Sequence, residues 1–109
     1  MRRDVFQAIA DPVRRDIITL LVDEPRTVNA VAEQFEISRP AVSKHLKILE
    51  ECGVITITQS GRTRYCQVAP ASLLPVSAWV LQHRKLWEDK LDAFEDYLMT
   101  LQSKSDNHE

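Results

Sequence analysis

The sequence predicts a mainly α fold carrying one small β-hairpin, and three observations in its 109 residues lead there. Two short amphipathic segments stand close together between Thr27 and Gly53, parted by Glu36-Ile37-Ser38. A stretch of alternating apolar and polar residues, VITITQSGRTRYCQV, follows at once. From Ser72 onward about thirty residues contain no Gly and only Pro75, with apolar residues returning in steps of three and four. Two helices at that spacing, a hairpin and a long final helix make a winged helix-turn-helix with a long C-terminal helix. The expected organisation is a single domain over 1–102, with the helix-turn-helix at 27–52, the wing at 54–68, the last helix at 72–102, and a polar tail at 103–109.

Each element has a local reason. A short helix over Asp4 to Ala10 has an apolar side of Val5, Phe6 and Ile9. Asp11-Pro12 opens the next helix, because an acid at the N-cap accepts from a free first-turn amide and Pro at the first position lacks only a donor the helix does not use. That helix turns Ile17, Leu20 and Leu21 inward and stops before Glu24-Pro25. Thr27 caps a third helix whose apolar face is Val28, Val31, Ala32 and Phe35. Ser38 caps a fourth, with Pro40 in its first turn and Val42, Leu46 and Leu49 on one side. Gly53 suits the position just past its end, where a left-handed residue closes a helix. The alternating run then folds back at Ser60-Gly61 as a hairpin.

Composition narrows the class. Hydrophobic residues at 44% and charged residues at 28% are ordinary for a soluble domain, and the length suits one modest core. No apolar run is long enough to span a bilayer and MRRDVFQAIADP is no signal peptide, so no membrane partner and a cytoplasmic location are expected. In such a compartment Cys52 and Cys66 are expected as small hydrophobes; a thiol switch between helix end and wing is the other reading.

The formal charge of −2 hides an asymmetry. Between Ser38 and Val68 five Lys/Arg stand against two acids, whereas Leu86 to Glu109 holds seven acids and two lysines. One region can therefore meet phosphate while the other stays solvated. The outward face of the fourth helix carries Arg39, Ser43, Lys44 and Lys47, the composition of a helix that enters a DNA major groove. Gln59, Arg62 and Arg64 near the hairpin tip can reach sugar-phosphate or a minor groove. His45, three residues after Val42, fits the edge of the core as well as the edge of DNA. Arg14 and Arg15 suit a phosphate contact or a brace for the last helix.

In the last helix Leu73, Ser77, Val80, Arg84, Trp87, Leu91, Phe94, Leu98 and Leu101 form a heptad-like seam. A chain this small cannot cover so long a stripe. Val80, Trp87, Leu91, Phe94, Leu98 and Leu101, aided by Phe6 on the first helix, are therefore expected to pack against a second copy, giving a homodimer. Trp79 and Leu86 lie off the seam and could line a pocket or pack on the core.

DPVRRDIITLL, VAEQFEISRPAVSKHLKILEECGVI and GRTRYCQV, in that order and spacing, resemble the winged-helix repressors of the ArsR/SmtB type. The resemblance covers Phe6 to Val68. It implies a homodimeric repressor that binds double-stranded DNA at an imperfect inverted repeat, and it places Ser38, Arg39, Pro40, Ser43, Lys44 and His45 on the DNA-facing part of the recognition helix. It also implies where metals would bind, and there the sequence departs. VNAVAEQF lacks the paired cysteines of one family site. His83 stands alone where another site has an Asp-x-His pair, and Phe94 and Tyr97 occupy the later ligand positions. Three or four converging ligands are needed for a metal, so neither a metal nor another cofactor is expected, and no residue pattern assigns a small-molecule effector.

Two other functional classes fit less well. A docking module built on a winged helix would not need basic residues on both helix and wing. An enzyme would need a nucleophile with its base, a phosphate loop or paired carboxylates in a cleft, and the acids after Leu86 sit on a helix surface instead.

Overall fold

Apolar residues at helical spacing over the first half of the chain gather into one core in the computed structural model, which describes residues 3–106. The elements run α1 (Val5–Ala8), α2 (Pro12–Asp23), β1 (Arg26–Thr27), α3 (Val28–Glu33), α4 (Arg39–Glu51), β2 (Ile55–Ser60) and β3 (Thr63–Val68). A 3₁₀ turn at Pro70–Leu73 leads into α5 (Leu74–Gln82) and α6 (Arg84–Asp106). The chain divides into two compact units, Met1–Val76 and Ser77–Glu109.

The helix starts follow the capping logic closely. Asp4, Asp11, Thr27 and Ser38 each accept, through a side-chain oxygen, from the amide three residues on, at 3.1, 3.1, 3.0 and 3.3 Å. At the far end of α4 the Gly53 amide donates to the Glu50 carbonyl and the Val54 amide to the Leu49 carbonyl, both at 3.0 Å. Gly53 sits at φ 76°, so this is a Schellman closure, and fully buried Leu49 and Val54 flank it. The last turn of α4 and the first residue of the hairpin are thereby tied together.

The first unit's core joins Val5, Ile17, Leu21, Val31, Val42, Leu46, Leu49, Val54, Ile55, Cys66 and their neighbours, and among the described residues no polar or charged side chain is buried. Leu20 and Phe35 are partly buried at its margin. Side chains of this size each stabilise by roughly 1.5–3 kcal/mol when removed from water. Cys66 is completely buried and Cys52 half-buried; both are free thiols. Burial raises the pKa of each above the ordinary thiol value, which disfavours the reactive thiolate.

Four features differ from expectation. The sheet has three strands in the order β1-β3-β2, because Arg26 and Thr27 pair antiparallel with Cys66 and Tyr65. Ser60 pairs with Thr63, so the tight turn is Gly61-Arg62, one residue later than expected. Its left-handed residue is Gly61 at φ 63°, the first central position of a type II′ turn. Arg14 and Arg15 brace α1: Arg14 donates to the Ala8 and Gln7 carbonyls, both at 3.0 Å, and Arg15 to that of Ile9 at 2.9 Å. These carbonyls lie at the C-terminal end of α1, where the helix leaves acceptor capacity open to a guanidinium, although the Gln7 carbonyl also accepts from the Ala10 amide at 3.2 Å.

The fourth difference concerns the helix expected over 72–102, which is two helices with a break at His83. Ser72 does not cap it; its hydroxyl donates to the Ala69 carbonyl at 2.6 Å inside the 3₁₀ turn. Leu73, placed on the seam by its spacing, packs instead against the first unit's core. At the break, His83 Nδ1 lies 2.8 Å from the Trp79 carbonyl, and the His83 amide turns to Val80 at 3.1 Å. The imidazole has taken the acceptor that a continuing α-helix would give to the amide, and the turn tightens. Beyond it Arg84 pairs with Glu88 of its own helix at 2.7 Å. Helix α6 continues through Ser103–Asp106, part of the expected polar tail, and 107–109 lie outside the described residues.

Candidate nucleic-acid interface

Helix α4 keeps two faces apart. Val42, Leu46 and Leu49 are buried, while Ser38, Arg39, Pro40, Ser43, Lys44 and Lys47 are exposed. The separation follows from placing apolar residues three and four apart. Ser38 accepts from the Ala41 amide through its side-chain oxygen, so its part in the face is first to aim the helix start. Arg39, the first residue of the helix, donates from Nη1 to Asn29 Oδ1 on α3 at 2.7 Å.

His45 is turned away from that face. Its side chain is 20% exposed, with Nδ1 at 3.5 Å from Arg14 Nη1 and 3.9 Å from Asp11 Oδ2. It belongs to the contact between α2 and α4. Burial works against the Asp11 carboxylate, yet its bond from the Arg14 amide and the charges of His45 and Arg14 outweigh this and hold the pKa below its ordinary value.

The wing residues are exposed. Gln59 and Arg64 face each other across the hairpin, Arg62 stands in the turn, and Gln59 Nε2 donates to the Gly61 carbonyl at 3.2 Å. Helix and wing meet in a groove of about 380 Å³ lined by Ser43, Lys47, Glu50 and Arg64 together with Val28, Leu46 and Ile57. A second groove of about 270 Å³ is lined by Thr27, Val28, Asn29, Arg62, Thr63 and Arg64. The fold thus brings Ser43 and Lys47 to Arg64, and the start of α3 to Arg62 and Arg64. Glu50, an acid in the first groove, and Asn29, on α3, were not singled out from sequence. Spacing within α4 marks Glu50 as the end of the basic face, but nothing local marks Asn29.

A sequence profile described as a helix-turn-helix domain matches residues 9–58. The transcriptional repressor SdpR of Bacillus subtilis is 38% identical over 78 residues, spanning 72% of this chain and 87% of that protein. A crystal structure of an ArsR family transcriptional regulator superposes with a TM-score of 0.69 at 37% identity, covering 76% of this chain and 91% of that one. The chain belongs to the ArsR/SmtB family. The HTH-type transcriptional regulator Rv2034 of Mycobacterium tuberculosis is also similar, 38% identical over 68 residues that span 62% of this chain and 64% of that protein. The fold is therefore the winged helix-turn-helix of a DNA-binding transcriptional regulator, with α3 and α4 as the helix pair and β2–β3 as the wing.

The residues expected at a dimer contact are all exposed. Phe6 on α1 is 40% exposed; Val80 on α5 and Trp87, Leu91, Phe94, Leu98 and Leu101 on α6 lie between 45% and 65%. Trp79, off the seam, stacks tilted on His83 with ring centroids 4.7 Å apart and meets Trp87 edge-on at 6.4 Å. Among the described residues no three His, Cys, Asp or Glu gather as a metal-ligand group, and no helix is long and apolar enough to cross a membrane.

Proposed function

We propose that this protein is a cytoplasmic homodimeric repressor that reads an inverted-repeat operator, the outward face of α4 in the major groove and the wing on the flanking backbone. The observation that carries the reading is the exposed row Arg39, Ser43, Lys44 and Lys47, of which Ser43 and Lys47 share a groove with Arg64. Such a row offers donors to base edges, and arginine beside it offers charge to phosphate. Homodimerisation is supported by the apolar side chains along α5 and α6: eleven of the sixteen large ones left exposed among the described residues lie between Trp79 and Leu101. Apolar exposure of that extent on one helical segment marks an interaction site, and a second copy carries the same stripe. Twofold symmetry then presents two copies of α4 to two half-sites. The absence of the family's cysteine and Asp-x-His patterns supports a member that does not respond to metals.

Selection of bound duplexes from a random pool tests the reading, followed by titration with Arg39→Ala/Lys44→Ala. An inverted repeat should emerge. The double variant should lose sequence preference while keeping its thermal stability, since exposed polar positions contribute little to folding. Each good base contact contributes about 1–3 kcal/mol of discrimination, and a symmetric dimer loses each one twice. An unchanged operator affinity would sink the assignment of α4.

A further inference from the structure

We propose that Asn29 is a positioning residue that sets DNA specificity by holding Arg39 at one angle on the reading face, an inference that rests on α4 being the recognition helix. Asn29 is the second residue of α3 and Arg39 the first of α4, both are exposed, and 2.7 Å separates Asn29 Oδ1 from Arg39 Nη1. That is short for an N–H···O bond, as expected when the donor is charged.

The chemistry of the pair suits DNA reading. A surface arginine samples many rotamers, and fixing it on binding weakens the complex; Asn29 takes part of that ordering out of the binding step. The guanidinium has five N–H donors, and one spent on Asn29 leaves enough for a bidentate base contact. A carboxamide also orients without neutralising. Arg26 shows the opposite case, with Asp23 and Glu24 carboxylates at 3.8 and 3.6 Å. Arg39 keeps its whole charge for DNA. Asn29 further lines the groove that holds Arg62 and Arg64, so one residue stands between the arginine of the helix and those of the wing.

The test is a double-mutant cycle on a duplex selected by the wild type and on a scrambled duplex, with fluorescence anisotropy as the readout. Asn29→Ala should weaken the selected duplex by about three- to tenfold per half-site, from the lost preordering of one side chain, and leave the scrambled duplex within about twofold. In an Arg39→Ala background it should have no further effect. Asn29→Asp keeps an acceptor for Arg39 and adds a negative charge, so it should retain the preference ratio while weakening both duplexes alike. Additive losses from Asn29→Ala and Arg39→Ala, or equal losses on both duplexes, would overturn the proposal, as would an Asn29→Asp variant with no preference left. A wild type that prefers no duplex overturns the reading of α4 itself, a result separate from any change confined to the Asn29 variants.

Discussion

Replacing Arg62 and Arg64 by Ala separates positioning from reading in one measurement. Both side chains are exposed at the wing, and neither has an ion-pair partner among the described residues, so their removal leaves no orphaned acid behind. If each meets one phosphate, a dimer loses four contacts. The logarithm of affinity falls with the logarithm of salt by about 0.9 per neutralised phosphate, so the slope should flatten by about three to four units. Phosphate contacts carry no base information, so selected and scrambled duplexes should weaken by similar factors. Fluorescence anisotropy across a salt series on both duplexes gives slope and ratio together. A wild-type slope in the double variant, or a loss confined to sequence preference, would refute the assignment of the wing to the backbone.

Charged replacements on the stripe, Leu91→Glu with Leu98→Glu, should yield a folded monomer in sedimentation, because both leucines are exposed within the chain; a wild type that already sediments as a monomer at micromolar concentration would remove the dimer and the palindrome with it. Leu49→Ala should reduce unfolding free energy by about 2–5 kcal/mol in denaturant melts, because Leu49 is fully buried beside the Gly53 closure; a loss near zero would contradict its place in the core. Asp11→Asn keeps a capping oxygen and removes the charge. Since folding lowers the Asp11 pKa below 3.8, the wild-type carboxylate stabilises fully above that value, and its advantage disappears as pH falls through the lowered one. Melts at pH 7 and in strong acid should show the gap between wild type and Asp11→Asn closing, and a constant gap would be the contrary result.

What sequence made legible was what short-range chemistry decides. Capping by Asp11, Thr27 and Ser38 needs only the next three residues, and the two faces of α4 need only the helical period, so both were readable. Strand β1 was not, because two residues have no period and Arg26-Thr27 becomes a strand only when β3 lies beside it. The break at His83 was hidden for a different reason. The heptad spacing continues across it, and only the competition of an imidazole for the Trp79 carbonyl shows why the helix stops. His45 was ambiguous by position because the contacts its ring makes, with Asp11 and Arg14 at the start of α2, lie more than thirty residues away in sequence. Asn29 went unremarked because its partner is ten residues away, across the turn of the helix pair.

Closure at Gly53 has a mechanical consequence. Only Cys52, Gly53 and Val54 separate the end of α4 from the start of β2, and all three amides are already engaged backward, with Val54 anchored in the core. A further tie holds the far end, where the Val54 carbonyl accepts from the Ala69 amide at 2.8 Å just past β3. Pinned at both ends of the hairpin, helix and wing behave as one stiff caliper jaw. A displacement of α4 carries the root of the wing with it, so fit to DNA of altered groove geometry must come from moving helix and wing together as one body.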